Sequence, residues 1–357
     1  MPFSSQKIAI VGAATLLGKE LNEVLSSSVF GASDFVLLDD EEALGKIEAV
    51  GDEVTFVQRI EPASFNGCDF VFFVAQPEVT EKYWQHARAT GACVLDLTGA
   101  LENKPGVVVL APWVSVELGI SAELASSTQK NVLDLQTAAV VPAHPAAMLL
   151  ALIAARCQQT SPVHTLWATL LQAASEYGNA AIVELHQQTV NLLSFQALPT
   201  EVFGSQAAFN AAISFGEEGR VRPVTAEDSI QRHYAAIGDG KLPELGLQVV
   251  QAPIFHGYVL SVAVELDRPT DIEKMRAVLT SEHIEVITDS AEAPGNIGVT
   301  GGAGITVVVR SASVSTAQGA SSRYWLWIAA DNLRLAAINA VACAVEMGRM
   351  RPQGKVQ

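Results

Sequence analysis

The stretch Lys7-Ile-Ala-Ile-Val-Gly-Ala-Ala-Thr-Leu-Leu-Gly18 decides the fold. Its apolar run, residues 8–11, ends at a glycine and has the composition of a parallel strand buried on both faces. Gly12 lets the backbone turn sharply, and residues 19–25 carry helical spacing. A strand feeding a helix through a glycine turn opens a dinucleotide-binding βαβ unit, with the helix N-terminus toward an anion. Gly12 and Gly18 stand at that spacing, with Ala13, Thr15 and Leu16 as the other cradle positions between them. Thr15 takes the place of the middle glycine, where bare backbone would approach a pyrophosphate. The scaffold of the motif is kept and its ligand chemistry is weakened.

Working outward, residues 35–38 form the next apolar run and lead into Asp39-Asp-Glu-Glu42. An acidic residue about 20 positions after the glycine turn commonly binds ribose hydroxyls. Asp39 in that role favours NAD over NADP, because it repels a 2′-phosphate. The same stretch also reads as a solvated acidic loop, and both readings stay open. Strand-like runs at 69–74, 92–97 and 106–110, with a helix at 79–90, predict a Rossmann-type doubly wound parallel sheet. Around residues 135–141 the pattern changes. Pro142-Ala-His-Pro145 breaks the chain, and an apolar helix follows over 146–157, started by proline in its first turn. Long alternating runs at 163–171, 246–253, 259–266 and 304–310 then predict an α+β second domain. Residues 311–322 read as a loop, 325–329 as a strand, and Asp331 as the N-cap of a final helix to about 348. The expected division is 1–138, completed by 331–357, and 139–330.

Composition bounds the function. A chain of 357 residues with 49% hydrophobic content supports a large core in two domains. Mean hydropathy is +0.28 and the pI about 4.8. The net charge of −16 argues against nucleic acid and anionic membranes, and against an anionic substrate without a local basic pocket. Cys68, Cys93, Cys157 and Cys343 are scattered without a CxxC pair, so neither a metal site nor a disulfide framework is expected. No apolar run is long enough to span a bilayer; residues 148–155 are typical. Met1-Pro-Phe-Ser-Ser-Gln-Lys7 enters the first strand with no signal peptide, so the expected location is the cytoplasm.

Several stretches together resemble the aspartate-semialdehyde dehydrogenase family over nearly the whole chain. They are Val11-Gly-Ala…Gly18, Asp96-Leu-Thr-Gly-Ala100, Gln172-Ala-Ala-Ser175, Ala208-Phe-Asn210 and Asp331-Asn-Leu-Arg…Asn339-Ala-Val341. The resemblance implies a Rossmann-type domain plus an α+β dimerisation domain, a homodimer, and reductive dephosphorylation of aspartyl phosphate with NADPH through a cysteine thioester. The departures make the chain similar to the Usg-type branch, whose members are not established as having that activity.

Those departures fall on the residues that carry the family's chemistry. The family's nucleophilic cysteine aligns with Pro145, which offers neither a thiol nor a backbone N–H. Cys157 lies twelve residues further on, roughly 18 Å along a helix axis, too far to substitute. Gln251 takes the place of the substrate arginine and Tyr258 that of the histidine base. Glu102 stands for the phosphate arginine and Ile230 for a second basic residue, while Gln172 and Glu227 match substrate-contacting positions. Two readings follow. The chain is a non-catalytic homologue that binds a small nucleotide or a protein partner, including a true dehydrogenase subunit through the shared dimer surface. Alternatively, it is an NAD(P)-dependent oxidoreductase, of the aspartate-semialdehyde type in amino-acid biosynthesis or on another substrate. In the latter case Tyr258, His144 or His256 would serve as relocated acid or base; His256 shares the face of Tyr258 if the segment between them is extended.

Overall fold

The computed structural model describes residues 6–40, 47–50, 53–120, 133–216, 218–288, 294–312 and 320–350. The chain forms two compact units, one of residues 1–143 and 336–357, the other of His144–Leu335.

In the first unit the elements are β1 (Lys7–Val11), α1 (Leu16–Ser26), β2 (Asp34–Asp39), β3 (Ile47–Val50), β4 (Glu53–Phe56), β5 (Gln58–Arg59), β6 (Phe70–Phe73), α2 (Pro77–Ala89), β7 (Cys93–Asp96), β8 (Val107–Leu110), α3 (Pro112–Glu117) and β9 (Ala139–Pro142). Seven strands form one sheet in the order β5-β2-β1-β6-β7-β9-β8, and every pairing in it is parallel. β3 and β4 make a separate antiparallel hairpin. The strand order reverses beside β1, so the loop after Val11 lies at the switch point where such sheets bind ligands. Ile8, Ile10, Phe70, Phe72 and Leu95 are buried with Leu21 and Leu25 of α1, as a parallel sheet covered by helices requires.

In the second unit α4 (Pro145–Cys157) precedes β10 (Val163–Gln172), α5 (Gly178–Leu193), α6 (Pro223–Gly238), β11 (Leu245–Gln251), β12 (Tyr258–Asp271), α7 (Ile272–Leu279), β13 (Ile284–Ile287), α8 (Asn296–Val299), β14 (Ile305–Ser311) and β15 (Ala320–Ala330). The final helix, α9 (Asn332–Met350), begins here and runs into the first unit's sequence. Its start is capped as expected: the Asp331 carboxylate accepts from Arg334 N–H at 3.0 Å. Six strands form a mixed sheet in the order β11-β10-β12-β15-β14-β13. One face is helix-covered; the other is open around Trp167 and Trp325 and is covered at its Val259–Ala329 end by Val299 of α8. Along β15, Tyr324, Leu326 and Ile328 are buried while Trp325 and Trp327 are exposed. α4 is apolar all round and buried along nearly its whole length, which explains its lack of a polar face.

Two expectations need correction. The segment 252–257 is not extended: β12 begins at Tyr258, and Gly257 has φ +84°. His256 therefore does not share a strand face with Tyr258. The strands are also longer than read, β12 reaching Asp271 and β15 starting at Ala320. Most of the loop expected at 311–322, and Glu41 and Glu42 of the acidic stretch, lie outside the described residues. Among the described residues, no helix is long and apolar enough to cross a membrane.

Candidate functional site

The glycine loop of the first unit has the geometry of its motif. Gly12 sits at φ +96°, and a Cβ there would lie 2.6 Å from Ala75 N. At Gly18 a Cβ would lie 2.2 Å from Gly12 O, so the third glycine is required for α1 to approach β1. Thr15 is the N-cap of α1. Its hydroxyl accepts from Gly18 N–H at 2.9 Å and donates to Gly12 O at 2.7 Å. The amides of Gly12 and Ala13 donate to Leu38 O, and Thr15 N–H donates to Gly12 O. Asp39, buried at the end of β2, accepts from Ala14 N–H at 2.7 Å and Asp40 N–H at 2.9 Å. The cradle thus spends most of its own donors internally. The amides of Leu16 and Leu17, in the first helical turn, have no intrahelical acceptor. Asp39 suits a ribose hydroxyl and opposes a phosphate placed beside it. Among the described residues, Gly12, Thr15 and Gly18 fit the folding role of the motif.

The loop after β7 is closed in the same way. The Asp96 carboxylate is fully buried and accepts from Thr98 N–H (2.8 Å), Thr98 Oγ1 (2.6 Å) and Leu101 N–H (2.8 Å). Burial raises its pKa, and these hydrogen bonds only partly offset that. Glu102, where the family's phosphate arginine is expected, ends this loop.

In the second unit the residues of interest converge from four elements. Pro145 is the first residue of α4 and is buried. His144 is the N-cap of that helix, and its Nδ1 accepts from Ala146 N–H at 3.2 Å. Its Nε2 donates to Glu176 Oε1 at 3.1 Å. Nδ1 must therefore be unprotonated and Nε2 protonated, so both ring nitrogens are in use. The other carboxylate oxygen, Oε2, accepts from Tyr258 OH at 2.5 Å and Asn332 Nδ2 at 3.1 Å. The His144 and Tyr258 rings stack, with centroids 6.3 Å apart and planes within 13°. Asn332 Oδ1 accepts from Ser175 Oγ and Gly257 N–H, each at 3.1 Å. His233 Nδ1 accepts from the His144 backbone N–H at 2.8 Å, locking the cap from a further helix, α6.

Electrostatics follow from this wiring. Burial alone would raise the Glu176 pKa, but the hydrogen bonds donated by His144, Tyr258 and Asn332 outweigh it and hold the carboxyl below its ordinary value. Burial, and next the Glu176 charge, push the Tyr258 phenol well above its ordinary pKa. Tyr258 is a hydrogen-bond donor here and not a base. All four cysteines are free and buried. Burial pushes Cys157 up to about 12, and raises Cys343 and Cys68 as well. None of these three thiols is poised as a thiolate.

The other sequence-selected residues have structural partners. Glu227 Oε2 accepts from Val249 N–H at 3.0 Å, fastening α6 to β11. Ile230 is a core residue with no exposure. Gln172 and Gln251 are register partners at the C-terminal ends of the parallel pair β10–β11, and both are buried. Glu176 and Asn332 were not singled out from sequence. Their signal was position alone: an acidic residue directly after Gln172-Ala-Ala-Ser175, and an asparagine after the cap Asp331.

An all-parallel nucleotide-binding sheet joined to a mixed-sheet domain, with a cluster gathered at the α4 N-terminus, defines the architecture of a semialdehyde dehydrogenase. The description "Semialdehyde dehydrogenase, NAD binding domain" matches residues 7–120, and "Semialdehyde dehydrogenase, dimerisation domain" matches residues 157–335. A "USG-1 protein homolog" of Pseudomonas aeruginosa is 30% identical over 94% of this chain and 95% of its own. A "USG-1 protein homolog" of Azotobacter vinelandii is 28% identical over 96% and 98%. The solved structure of "a probable aspartate-semialdehyde dehydrogenase from Pseudomonas aeruginosa" superposes with a TM-score of 0.79 at 27% identity, over 96% of this chain and 98% of that one. The chain belongs to the aspartate-semialdehyde dehydrogenase family, and within it to the Usg type.

Proposed function

We propose that this protein is a homodimeric member of the family that has given up the thioester dehydrogenase reaction. The observation that carries this reading is the closed network at the α4 N-terminus. Both nitrogens of His144 and both oxygens of Glu176 are committed to partners, beside a proline where the nucleophile is expected. A base must have a free lone pair to take a proton, and a covalent route must have a nucleophile. Neither is offered.

The dimer is supported by the open sheet face. Trp167, Trp325 and Trp327 are 63%, 46% and 37% exposed, and Trp167, Ala263 and Trp325 lie in one cross-strand row. An exposed tryptophan-bearing face of this kind fits a flat, self-complementary partner. Free, buried thiols and the family's soluble architecture support a cytoplasmic location.

The test is an assay of the pure protein with aspartate semialdehyde, phosphate and either nicotinamide cofactor. No rate above a mock preparation is expected with either. Turnover that iodoacetamide abolishes would overturn the reading. The second reading, an NAD-linked oxidoreductase, is favoured by one observation, the carboxylate of Asp39 at the ribose position. Calorimetric titration separates them: tight, NAD-selective binding supports the second, and absence of binding below millimolar concentration supports the first.

A further inference from the structure

The parallel sheet of the first unit is split at one place. β6–β7 and β8–β9 pair along their full lengths, but β7 and β9 pair at a single position, Leu95 with Val140. Toward the strand starts, Ala138 N–H donates to Gly106 O at 2.7 Å, on the side away from β7. The ladder stops there, and a cavity of about 230 Å³ opens between Cys93 and Val94 on one side and Thr137 and Ala138 on the other. Such a space holds about seven waters, at roughly 30 Å³ each, or one small metabolite, and is too small for a dinucleotide. Parallel strands all start at the same end, so the cavity lies at the sheet edge opposite the glycine loop that follows β1. Leu133, with Met347 and Met350 from α9, gives it an adaptable apolar wall.

Two opposite charges stand on this lining. Arg88, in the last turn of α2, is exposed, and its guanidinium has no hydrogen bond or ion pair among the described residues. Asp134 is held by its own turn: Oδ1 accepts from Gln136 N–H at 2.8 Å and from Thr137 Oγ1 at 3.0 Å. Its Oδ2 has no partner among the described residues, and it makes no ion pair with Arg88 across the cavity. We infer that this cavity binds a small apolar α-amino acid as its zwitterion. The carboxylate meets Arg88 in charge-assisted hydrogen bonds, the ammonium meets Asp134, and the side chain lies against Leu133, Met347 and Met350. A plain carboxylate leaves Asp134 unmatched, and an amine leaves Arg88 unmatched. A second carboxylate is repelled by Asp134. The inference is independent of the proposed loss of dehydrogenase chemistry, since none of these residues belongs to the α4 cluster or to the glycine loop.

The experiment titrates L-leucine, 4-methylpentanoate and 3-methylbutylamine into the full chain and follows its methionine methyl resonances by NMR. Met347 and Met350 line the cavity, while Met148 and Met275 are buried in the other unit and serve as controls. M347L and M350L identify the two signals. Leucine is expected to shift those two and leave the controls in place, and to bind about tenfold or more tightly than either analogue. R88Q is expected to weaken leucine about tenfold or more. D134N keeps the Oδ1 acceptor of the turn and removes the charge, and is expected to abolish the preference for leucine over 4-methylpentanoate. Equal affinity for the three compounds, no shift at Met347 and Met350, or unchanged leucine binding in a folded R88Q would overturn the inference. Both variants alter exposed side chains, and the wild-type series decides the matter if either fails to fold.

Discussion

Glu176 is the residue on which the second unit's cluster turns. Its carboxylate gathers His144, Tyr258 and Asn332 from three separate segments. Its pKa is lowered in the folded protein, so the sign of its pH effect is set. The stabilisation is fully present above the unfolded-state pKa and is lost as pH falls through the lower folded value. Glu176→Gln is expected to cost about 1–3 kcal/mol in urea unfolding at neutral pH and to flatten the acid limb of the stability curve. An unchanged acid limb would show that Glu176 does not organise the cluster. At the same scale, native protein is expected to resist iodoacetamide at neutral pH and to label at all four cysteines only after unfolding, as mass spectrometry would report. Sequence reading could name Pro145, Gln251 and Tyr258 as departures, because each changes the chemistry at a position that a motif marks. It could not find the partner of Tyr258, because nothing in a linear chain places Glu176 beside Tyr258.

At the scale of elements, α4 and α1 show how one end of a helix can be reused. α4 opens with a His-Pro pair in which the histidine ring, rather than a hydroxyl or carboxylate, caps the helix. His144→Ala should lose the cap, about 1 kcal/mol, and the Glu176 bond as well. His144→Asn should retain most of the cap. The difference between the two melting temperatures isolates the cap from the network, and identical losses would refute the cap. α1 is held close to β1 by a glycine contact, so Gly18→Ala is expected to destabilise by about 1–3 kcal/mol in denaturant titration. That glycine was legible because its role is backbone packing. The satisfied state of the cradle was not, since it depends on Asp39 meeting Ala14 N–H across 25 residues.

For the molecule as a whole, the open tryptophan face is expected to set the oligomeric state. Analytical ultracentrifugation of the wild type should give a dimer. Trp167→Glu combined with Trp325→Glu should give a monomer with unchanged circular dichroism, because both side chains are exposed and lie off the helix-covered core. A dimer that survives both changes would place the interface elsewhere. The alternation that exposes these residues was readable from the sequence, whereas the row that aligns Trp167 with Trp325 needed the strand order β10-β12-β15.

The amino-acid order by itself determined the two architectures and the absence of a thiol at the head of α4. Those depend on local spacing: apolar runs at strand length, glycines at turns, a proline at a first helical turn. Only the tertiary structure decided what replaced the missing chemistry. Hydrogen-bond partnership joins groups far apart in the chain, so the closed Glu176 cluster exists only after folding has brought its strands and helices together.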